Sequence, residues 1–395
     1  MNDVAASAVV EVPVLFEERV TANGRRIGVA TLNVPKTLNG LSLDMARLLD
    51  ARLEAWAADD RVAMIVLQGA GEKAFCAGGD LHGLYHSMVE YRASGHADIR
   101  ENDYARDFFA TEYRLDYRIH TFPKPVLCWG HGIVMGGGIG LMAGASHRVV
   151  TERSRLAMPE ITVGLYPDVG GSWLLDRVPG HAGLFLALTG APLNASDAIY
   201  AGLADHYVQE VHFRSIHDGL SEIAWGDDAN ANAALLTSLL RLHSEAAVEG
   251  PLQRHSALID EVCGGDDLDR IVAAIAAIGI DDPWLDMAKQ TLAAGAPGSA
   301  RLAFELRRRA RGMSLADVFR MEYVVSLHCA ARGDFAEGIR ALLIDKDRTP
   351  RWQPMTLGEA TVGWADGFFV APWREGEHPL ARVGTGTDTD RRSRV

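Results

Sequence analysis

The order of strand-like and helix-like segments is the feature that most limits the fold of this chain. In its first half, apolar runs typical of strands at residues 25–34, 62–67, 125–129 and 147–151 alternate with helical patterns or glycine-rich stretches. Strand, helix and strand joined by short connections are typical of crossover units, which build a largely parallel sheet. We therefore predict an α/β fold for this half.

The first helix of this half can be placed from its cap and its apolar face. Ser42 is a favoured N-cap residue, and apolar side chains then recur at three- and four-residue spacing from Ala46 to Trp56. The sequence therefore predicts an amphipathic helix directly after Ser42.

The second half of the chain has a different pattern. After Val208 no strand-like run occurs until residues 368–370. Helical periodicity recurs instead at residues 233–242, 268–278 and 314–331. From Gly384 onward the sequence is polar and lacks apolar anchors, as in a disordered tail. We predict that the second half is mainly helical.

Charge and cysteine content argue against several classes of protein. The 39 Lys and Arg residues and 52 Asp and Glu residues give a formal charge of −13, which opposes binding to nucleic acid or an anionic membrane. The four cysteines are far apart and include no CxxC pair, so they suggest neither a disulfide framework nor a thiolate metal site. The N-terminus lacks a basic stretch followed by an apolar one, and no apolar run approaches the about 20 residues of a membrane span. We predict a cytoplasmic protein without a nucleic-acid or membrane partner.

Three segments carry the residues that suit chemistry. The first segment is Ala74–Leu81 (AFCAGGDL), the second is His131–Leu141 (HGIVMGGGIGL), and the third is Met158–Gly171 (MPEITVGLYPDVGG). Paired glycines let backbone N–H groups approach a ligand, and a helix that begins at the second segment would bind developing negative charge. The third segment places two carboxylates, Glu160 and Asp168, among apolar and turn residues.

Motifs for other chemistries are absent from the sequence. It contains no G-x-S-x-G or G-x-C-x-G nucleophile turn, no H-E-x-x-H metal motif and no Walker loop. Residues 138–143 match the G-x-G-x-x-A dinucleotide fingerprint, but the nearest acid at a strand end, Glu152, comes too early for the usual spacing of about 20 residues. A nicotinamide site is therefore disfavoured.

Taken together, the three segments in this order and spacing resemble the signature of the enoyl-CoA hydratase/isomerase (crotonase) superfamily. Residues Gly333–Asp347 (GDFAEGIRALLIDKD) are similar to a C-terminal motif typical of the 3-hydroxyisobutyryl-CoA hydrolases within it. The resemblance spans residues 29–352. It implies a crotonase-like spiral of ββα units over residues 13–210, a mainly helical region over 211–380 that covers the active site, and a disordered tail over 381–395.

The resemblance also implies roles for individual residues. The backbone N–H groups of Gly79 and Gly137 would form an oxyanion hole for the thioester oxygen. Ala77 and Gly78 would bind the CoA moiety of the substrate through backbone groups, and Lys36 would approach its phosphates. Position Glu112 matches a substrate contact of the family. No metal and no cofactor other than the CoA of the substrate is implied, and the formation of a homo-oligomer is left open.

One departure from the hydratase pattern favours a hydrolase. Hydratases of this family position a water between two glutamates; here the second is Glu160, but the first is replaced by Gly140. Loss of a general acid or base typically costs about 10²–10⁴-fold in rate. Hydratases usually have a small residue at the position of Asp168. An aspartate there resembles the hydroxyisobutyryl-CoA hydrolases instead.

The predicted reaction is hydrolysis of 3-hydroxyisobutyryl-CoA, or a similar short 3-hydroxyacyl-CoA, as in valine degradation. Glu160 acts either as a nucleophile that forms a mixed anhydride or as a general base for water, and the sequence leaves both open. Asp168 would accept a hydrogen bond from the 3-hydroxyl of the substrate. Two alternatives remain: a hydratase or isomerase of the same fold that acts on another acyl-CoA, and a non-catalytic acyl-CoA-binding protein.

Overall fold

Two sheets organise the first half of the chain. The computed structural model describes residues 12–374 and 376–385. Its strands are β1 (Val14–Val20), β2 (Arg26–Leu32), β3 (Val62–Gly69), β4 (Ala74–Cys76), β5 (Val126–Gly130), β6 (Ile133–Met135), β7 (His147–Val150), β8 (Arg155–Ala157) and β9 (His206–Tyr207). The larger sheet has the order β1-β2-β3-β5-β7-β9, and the smaller sheet has the order β4-β6-β8. Only the β1–β2 pairing among these strands is antiparallel, so the predicted, largely parallel sheet is confirmed.

The helices of the first half lie between and around these strands. They are α1 (Leu43–Ala58), α2 (Leu81–Ser94), α3 (Asp103–His120), α4 (Gly137–Ala143), α5 (Gly171–Leu174), α6 (Ala182–Thr189) and α7 (Ala195–Tyr200). The helix predicted after Ser42 is confirmed as α1: the Ser42 side chain accepts a hydrogen bond from the N–H of Met45, and Ala46 and Trp56 are buried. Burial of each large apolar side chain on such a face contributes roughly 1.5–3 kcal/mol.

Short 3₁₀ turns complete the first half. They lie at Pro35–Thr37, Ile99–Glu101, Glu160–Val163 and Leu175–Arg177, and a further 3₁₀ turn at Glu210–His212 opens the second half.

The second half contains helices and short turns. Its helices are α8 (Phe213–Glu222), α9 (Ala229–Arg241), α10 (Pro251–Arg254), α11 (Ser256–Val262), α12 (Leu268–Ala276), α13 (Pro283–Ala294), α14 (Pro297–Ala310), α15 (Leu315–Arg332), α16 (Phe335–Ile339) and α17 (Val362–Asp366), with a π-helical turn at Arg340–Ile344. The three predicted helical stretches are confirmed as α9, α12 and α15.

The strand-like run at residues 368–370 was interpreted wrongly. Residues Gly367–Phe369 form a 3₁₀ turn instead. Phe368 is buried, and its ring contacts that of Trp364 at 4.6 Å between centroids. A contact between side chains four residues apart requires helical rather than extended backbone.

The start of the predicted tail at residue 381 is too early. Val383 is buried, and its carbonyl accepts a hydrogen bond from Arg320 on α15. Residues 386–395 lie outside the described part of the chain, and the disordered tail stays a prediction there.

The pairing of strands explains why the three segments meet. β3, β5 and β7 lie in the larger sheet, and each is followed along the chain by a strand of the smaller sheet, β4, β6 and β8. These three short strands are parallel, and they end at Cys76, Met135 and Ala157. Because parallel strands have their carboxyl ends at the same edge, the residues that follow, in the first, second and third segments, converge there.

None of the helices in residues 12–374 and 376–385 combines the length and the apolar composition that crossing a membrane requires.

Candidate active site

A cavity of about 730 Å³ opens at the carboxyl edge of the smaller sheet. It brings together all of the site residues predicted from the sequence: Lys36, Ala77, Gly78, Gly79, Glu112, Gly137, Glu160 and Asp168. The helical half contributes Phe335, Leu342 and Leu343 to the lining. The cavity is therefore built from both halves of the chain, although the roles of its residues remain predictions.

Two backbone N–H groups in this cavity are unused. In the described part of the chain, the N–H groups of Gly79 and Gly137 donate no hydrogen bond. Gly137 is the first residue of α4, where helix geometry leaves the N–H without an internal acceptor. A Cβ built on Gly137 would lie 3.5 Å from the backbone nitrogen of Gly79, so the two donors lie close together.

Two carboxylates lie directly against the glycine triplet of the second segment. A Cβ on Gly137 would overlap Glu112 Oε1, and a Cβ on Gly136 would lie 2.9 Å from Glu160 Oε1. Gly136 also has φ +48°, a conformation that L side chains rarely adopt. Glycine is therefore required at both positions for the carboxylates to approach the backbone donors.

Glu160 opens a 3₁₀ turn, and its backbone is firmly held. Its carbonyl accepts a hydrogen bond from the N–H of Leu165, at 3.1 Å. Its side chain is buried, and Oε2 has no hydrogen-bond partner among the described residues. Burial, and then the nearby charge of Asp168, raise the pKa of the Glu160 carboxyl well above its usual range. Such a carboxyl in a cavity is a candidate for chemistry rather than a surface charge.

Asp168 lies at the start of a strained turn. Its Oδ2 atom is 2.7 Å from the hydroxyl of Tyr113 on α3. The next residue, Val169, has φ +51°, which is unusual for a β-branched side chain. Burial raises the pKa of the Asp168 carboxyl to about 6.

A carboxylate from the helical half holds this turn in place. Glu322 on α15 is completely buried, and its two oxygens accept hydrogen bonds from the N–H groups of Gly170 at 2.7 Å and Ser172 at 2.9 Å. Burial raises the pKa of Glu322 to about 8. Glu322 was not predicted from the sequence, because it is far from the turn along the chain and no local pattern marks it.

Asp116, which was also not predicted from the sequence, fills the space beside Gly140. A Cβ on Gly140 would lie 2.7 Å from Asp116 Oδ2 and 2.8 Å from the Cβ of Val169. Asp116 follows Glu112 by one turn of α3, is completely buried, and has no hydrogen-bond partner for either oxygen among the described residues. Burial raises its pKa well above the usual range. A glutamate at position 140 would therefore have no room beside Asp116.

The acidic groups of the cavity do not form a metal site. Within the described residues, no group of three or more His, Cys, Asp and Glu side chains is arranged to hold a metal ion.

Comparison with known proteins gives consistent matches over most of the chain. A family model described as enoyl-CoA hydratase/isomerase matches residues 27–369. The chain is 38% identical to the mitochondrial 3-hydroxyisobutyryl-CoA hydrolase of Danio rerio, over 90% of this chain and 89% of that protein. It is 35% identical to the human protein of the same name, over 85% of this chain and 83% of that protein.

Solved structures are similar over comparable lengths. A crystal structure described as a carnitinyl-CoA dehydratase from Mycobacterium thermoresistibile shares 37% identity and a TM-score of 0.79, covering 91% of this chain and 96% of that one. Another, described as an enoyl-CoA hydratase from Rhodobacter sphaeroides 2.4.1, shares 34% identity and a TM-score of 0.78, covering 91% and 98%.

Proposed function

The chain belongs to the enoyl-CoA hydratase/isomerase family, and on that premise we propose that it hydrolyses 3-hydroxyisobutyryl-CoA, or a similarly short 3-hydroxyacyl-CoA, to the free acid and CoA. One observation carries this assignment: Glu160 and Asp168 line the same cavity as the two unused N–H donors. The relatives that are named 3-hydroxyisobutyryl-CoA hydrolases, matched over most of their length, support it.

The proposed oxyanion hole consists of the N–H groups of Gly79 and Gly137. When a nucleophile attacks the thioester carbonyl, negative charge develops on its oxygen. Two preorganised donors in a buried cavity stabilise that charge, and each donor of this kind contributes about 2.7–4 kcal/mol to the transition state.

Glu160 is proposed as the group that starts the reaction. As a nucleophile, its carboxylate oxygen bonds to the carbonyl carbon, the C–S bond breaks, and the electron pair leaves with the CoA thiolate. Water then attacks the mixed anhydride, releases the acid and restores Glu160. As a general base, Glu160 instead takes a proton from the attacking water. Single-turnover hydrolysis in ¹⁸O-water distinguishes the two, because only the anhydride route can leave label in Glu160.

The remaining lining residues are proposed to select and hold the substrate. Asp168 accepts a hydrogen bond from the 3-hydroxyl, so a substrate without that group leaves a buried polar atom unpaired. Ala77 and Gly78 bind the CoA moiety through backbone groups, the exposed Lys36 at the rim of the cavity approaches its phosphates, and Glu112 contacts the acyl group.

Hydration is the second candidate reaction, since similar solved structures are described as a hydratase and a dehydratase. The surroundings of Gly140 argue against it. Position 140 carries no acid, and Asp116 occupies the space that a longer side chain would need. A non-catalytic acyl-CoA-binding protein is disfavoured, because binding alone does not require the buried, unpaired Glu160 beside the thioester site.

The test is thiol release from (S)-3-hydroxyisobutyryl-CoA and from isobutyryl-CoA, with crotonyl-CoA hydration measured in parallel. We expect the wild type to release thiol much faster from the hydroxy substrate. Asp168→Ala should remove most of that preference, and Glu160→Gln should lower thiol release about 10²–10⁴-fold because the reacting group is lost. Rapid hydration without thiol release would contradict the hydrolase assignment.

We further propose a cytoplasmic location, a role in valine degradation and no cofactor beyond the CoA of the substrate. The four cysteines are buried free thiols, as is usual in a reducing compartment. The word mitochondrial in the names of the relatives describes those proteins.

A further inference from the structure

A chain of buried hydroxyl groups runs from Asp168 to the helical half. The Tyr113 hydroxyl lies 2.7 Å from Asp168 Oδ2 and 2.7 Å from Ser326 Oγ. Ser326 Oγ lies 2.7 Å from the Tyr166 hydroxyl, which in turn lies 2.7 Å from the backbone carbonyl of Glu322. Tyr113, Tyr166 and Ser326 each have an exposed fraction of 0%, so bulk solvent cannot supply a further hydrogen to the chain.

The hydrogens in this series of hydroxyl contacts can be counted. It has four oxygen–oxygen contacts of hydrogen-bond length, but only three hydroxyl hydrogens, one each on Tyr113, Ser326 and Tyr166. The carbonyl of Glu322 cannot donate, so Tyr166 must donate to it. If the two hydroxyl–hydroxyl contacts are also hydrogen bonds, Ser326 donates to Tyr166 and Tyr113 donates to Ser326. The contact between Tyr113 and Asp168 is left without a hydrogen unless Asp168 supplies one.

We propose that Asp168 is protonated on Oδ2 in the resting protein and donates that hydrogen to Tyr113, so that the hydroxyl chain holds Asp168 as a neutral acid. All four contacts are then hydrogen bonds. Tyr113 and Ser326 are positioning residues in this arrangement: they act through Asp168 and not on the substrate.

The direction of the Tyr113 hydrogen bond decides its effect on Asp168. Burial by itself raises the pKa of the Asp168 carboxyl. A hydrogen bond donated by Tyr113 favours the carboxylate and opposes that rise, and the pKa of about 6 corresponds to this direction. A hydrogen bond accepted by Tyr113 favours the acid instead and places the pKa of Asp168 higher.

A neutral Asp168 has a consequence for its partner in the cavity, and this step rests on the proposed function. Burial, and then the charge of an ionised Asp168, raise the pKa of Glu160, and two buried carboxylates in one cavity repel each other. With Asp168 protonated, that repulsion is absent, and ionisation of Glu160 is opposed by its burial but no longer by the charge of Asp168. Asp168 Oδ1 remains an acceptor for the 3-hydroxyl of the substrate.

The charge state of Asp168 also depends on the titratable groups that face it from the elements packed around it. These are Glu112, Tyr113 and Asp116 on α3, Glu160 and Tyr166 in the third segment, and Glu322 and Cys329 on α15. All of them are neutral or negative groups, with no cation among them to favour an ionised Asp168.

The experiment is infrared spectroscopy of the substrate-free protein with isotopically labelled aspartate, titrated across pH. The wild type should show at pH 7 an acid C=O band that disappears in Asp168→Asn, which distinguishes it from the band of Asp116. In Ser326→Ala, the Tyr113 hydroxyl loses the oxygen to which it donates, and it donates its hydrogen bond to Asp168 instead. The Asp168 midpoint should therefore fall by about one pH unit or more, although the hydroxyl of Ser326 contacts Tyr113 and Tyr166 rather than the carboxyl of Asp168.

Tyr113→Phe provides a second variant whose effect has a predicted sign. Removal of an acceptor from a protonated Asp168 lowers its midpoint, whereas removal of a donor to a carboxylate raises it. A rise in Tyr113→Phe, an unchanged midpoint in Ser326→Ala, or a wild-type Asp168 that is ionised at pH 7 would each overturn the proposal.

Matched control variants remove hydroxyl groups that do not belong to the series Tyr113, Ser326 and Tyr166. Ser299 on α14 is buried without a hydrogen-bond partner among the described residues, and Tyr323 on α15 contacts the carbonyl of Arg106 instead. Ser299→Ala and Tyr323→Phe should leave the midpoint unchanged. Because the titration needs no turnover, its failure would not be confused with failure of the hydrolase assignment.

Discussion

The sheet-containing half before Val208 and the helical half after it contribute different kinds of group to the same cavity. The first half supplies the groups proposed to meet the substrate, namely the N–H donors and the carboxylates that follow strands β4, β6 and β8. The second half supplies Glu322, which accepts hydrogen bonds from the turn after Asp168, and Ser326, whose hydroxyl contacts that of Tyr113 beside Asp168. The site is therefore located by the sheet but completed by a helix far along the chain.

Substitution of Glu322 is the strongest test of the contribution from the helical half. In Glu322→Ala, the N–H groups of Gly170 and Ser172 lose their acceptor, and the strained Val169 turn loses its support. We expect the free energy of unfolding to fall by about 4 kcal/mol, since each buried unpaired donor costs about 1–3 kcal/mol. Chemical denaturation measures this loss. Glu322→Gln keeps one acceptor oxygen, so its free energy of unfolding should fall by less. Equal, small decreases in both variants would contradict the role assigned to Glu322.

Substitution of Gly137 tests the contribution from the sheet-containing half. In Gly137→Ala, the added methyl overlaps Glu112 Oε1 and displaces the N–H donor. Thiol release should fall about 10²-fold, the effect of losing one such donor, while the fold persists. Gly279→Ala is the control, because its Cβ meets no atom within 4 Å. Similar kcat/KM values for the two variants would remove Gly137 from the proposed oxyanion hole.

Substitution of Arg340 sharpens the comparison at the rim of the cavity. The Arg340 side chain pairs with Glu337, Asp345 and Asp347, and so fixes the π-helical turn whose Leu342 and Leu343 line the cavity. Arg340→Gln should raise KM roughly threefold with little change in kcat, because partly exposed ion pairs contribute little individually.

The control for this effect is Arg270→Gln. Arg270 is exposed, and its side chain has no ion pair within the described residues. A fall in kcat without a change in KM for Arg340→Gln would show that the turn acts on the reaction and not on substrate binding.

Local patterns in the sequence predicted the part of the site that depends on local structure. Strand ends followed by glycines, and Ser42 before an apolar helical face, are marks that short segments carry by themselves. The resemblance of the three segments to the crotonase superfamily then implied that Gly79, Gly137 and Glu160 belong to one cavity.

Groups that act across long sequence separations could not be predicted in this way. Glu322 and Ser326 lie on the buried face of an ordinary helical pattern, and only the packing of α15 against α3 shows what they contact. Asp116 could have been predicted in part. It follows Glu112 by four residues, and this spacing places both acidic side chains on one face of a helix. Strand β1 was missed because an antiparallel edge strand with exposed side chains has little apolar alternation.

The small sheet has an evolutionary consequence. Its three strands of three residues each are joined by backbone hydrogen bonds, so their pairing does not depend on which side chains follow their ends. The residues just beyond those ends can therefore be exchanged while the scaffold is inherited unchanged. A lineage with this architecture can alter its chemistry at few positions, such as that of Asp168, or those of Gly140 and Asp116 together, without having to evolve a new fold.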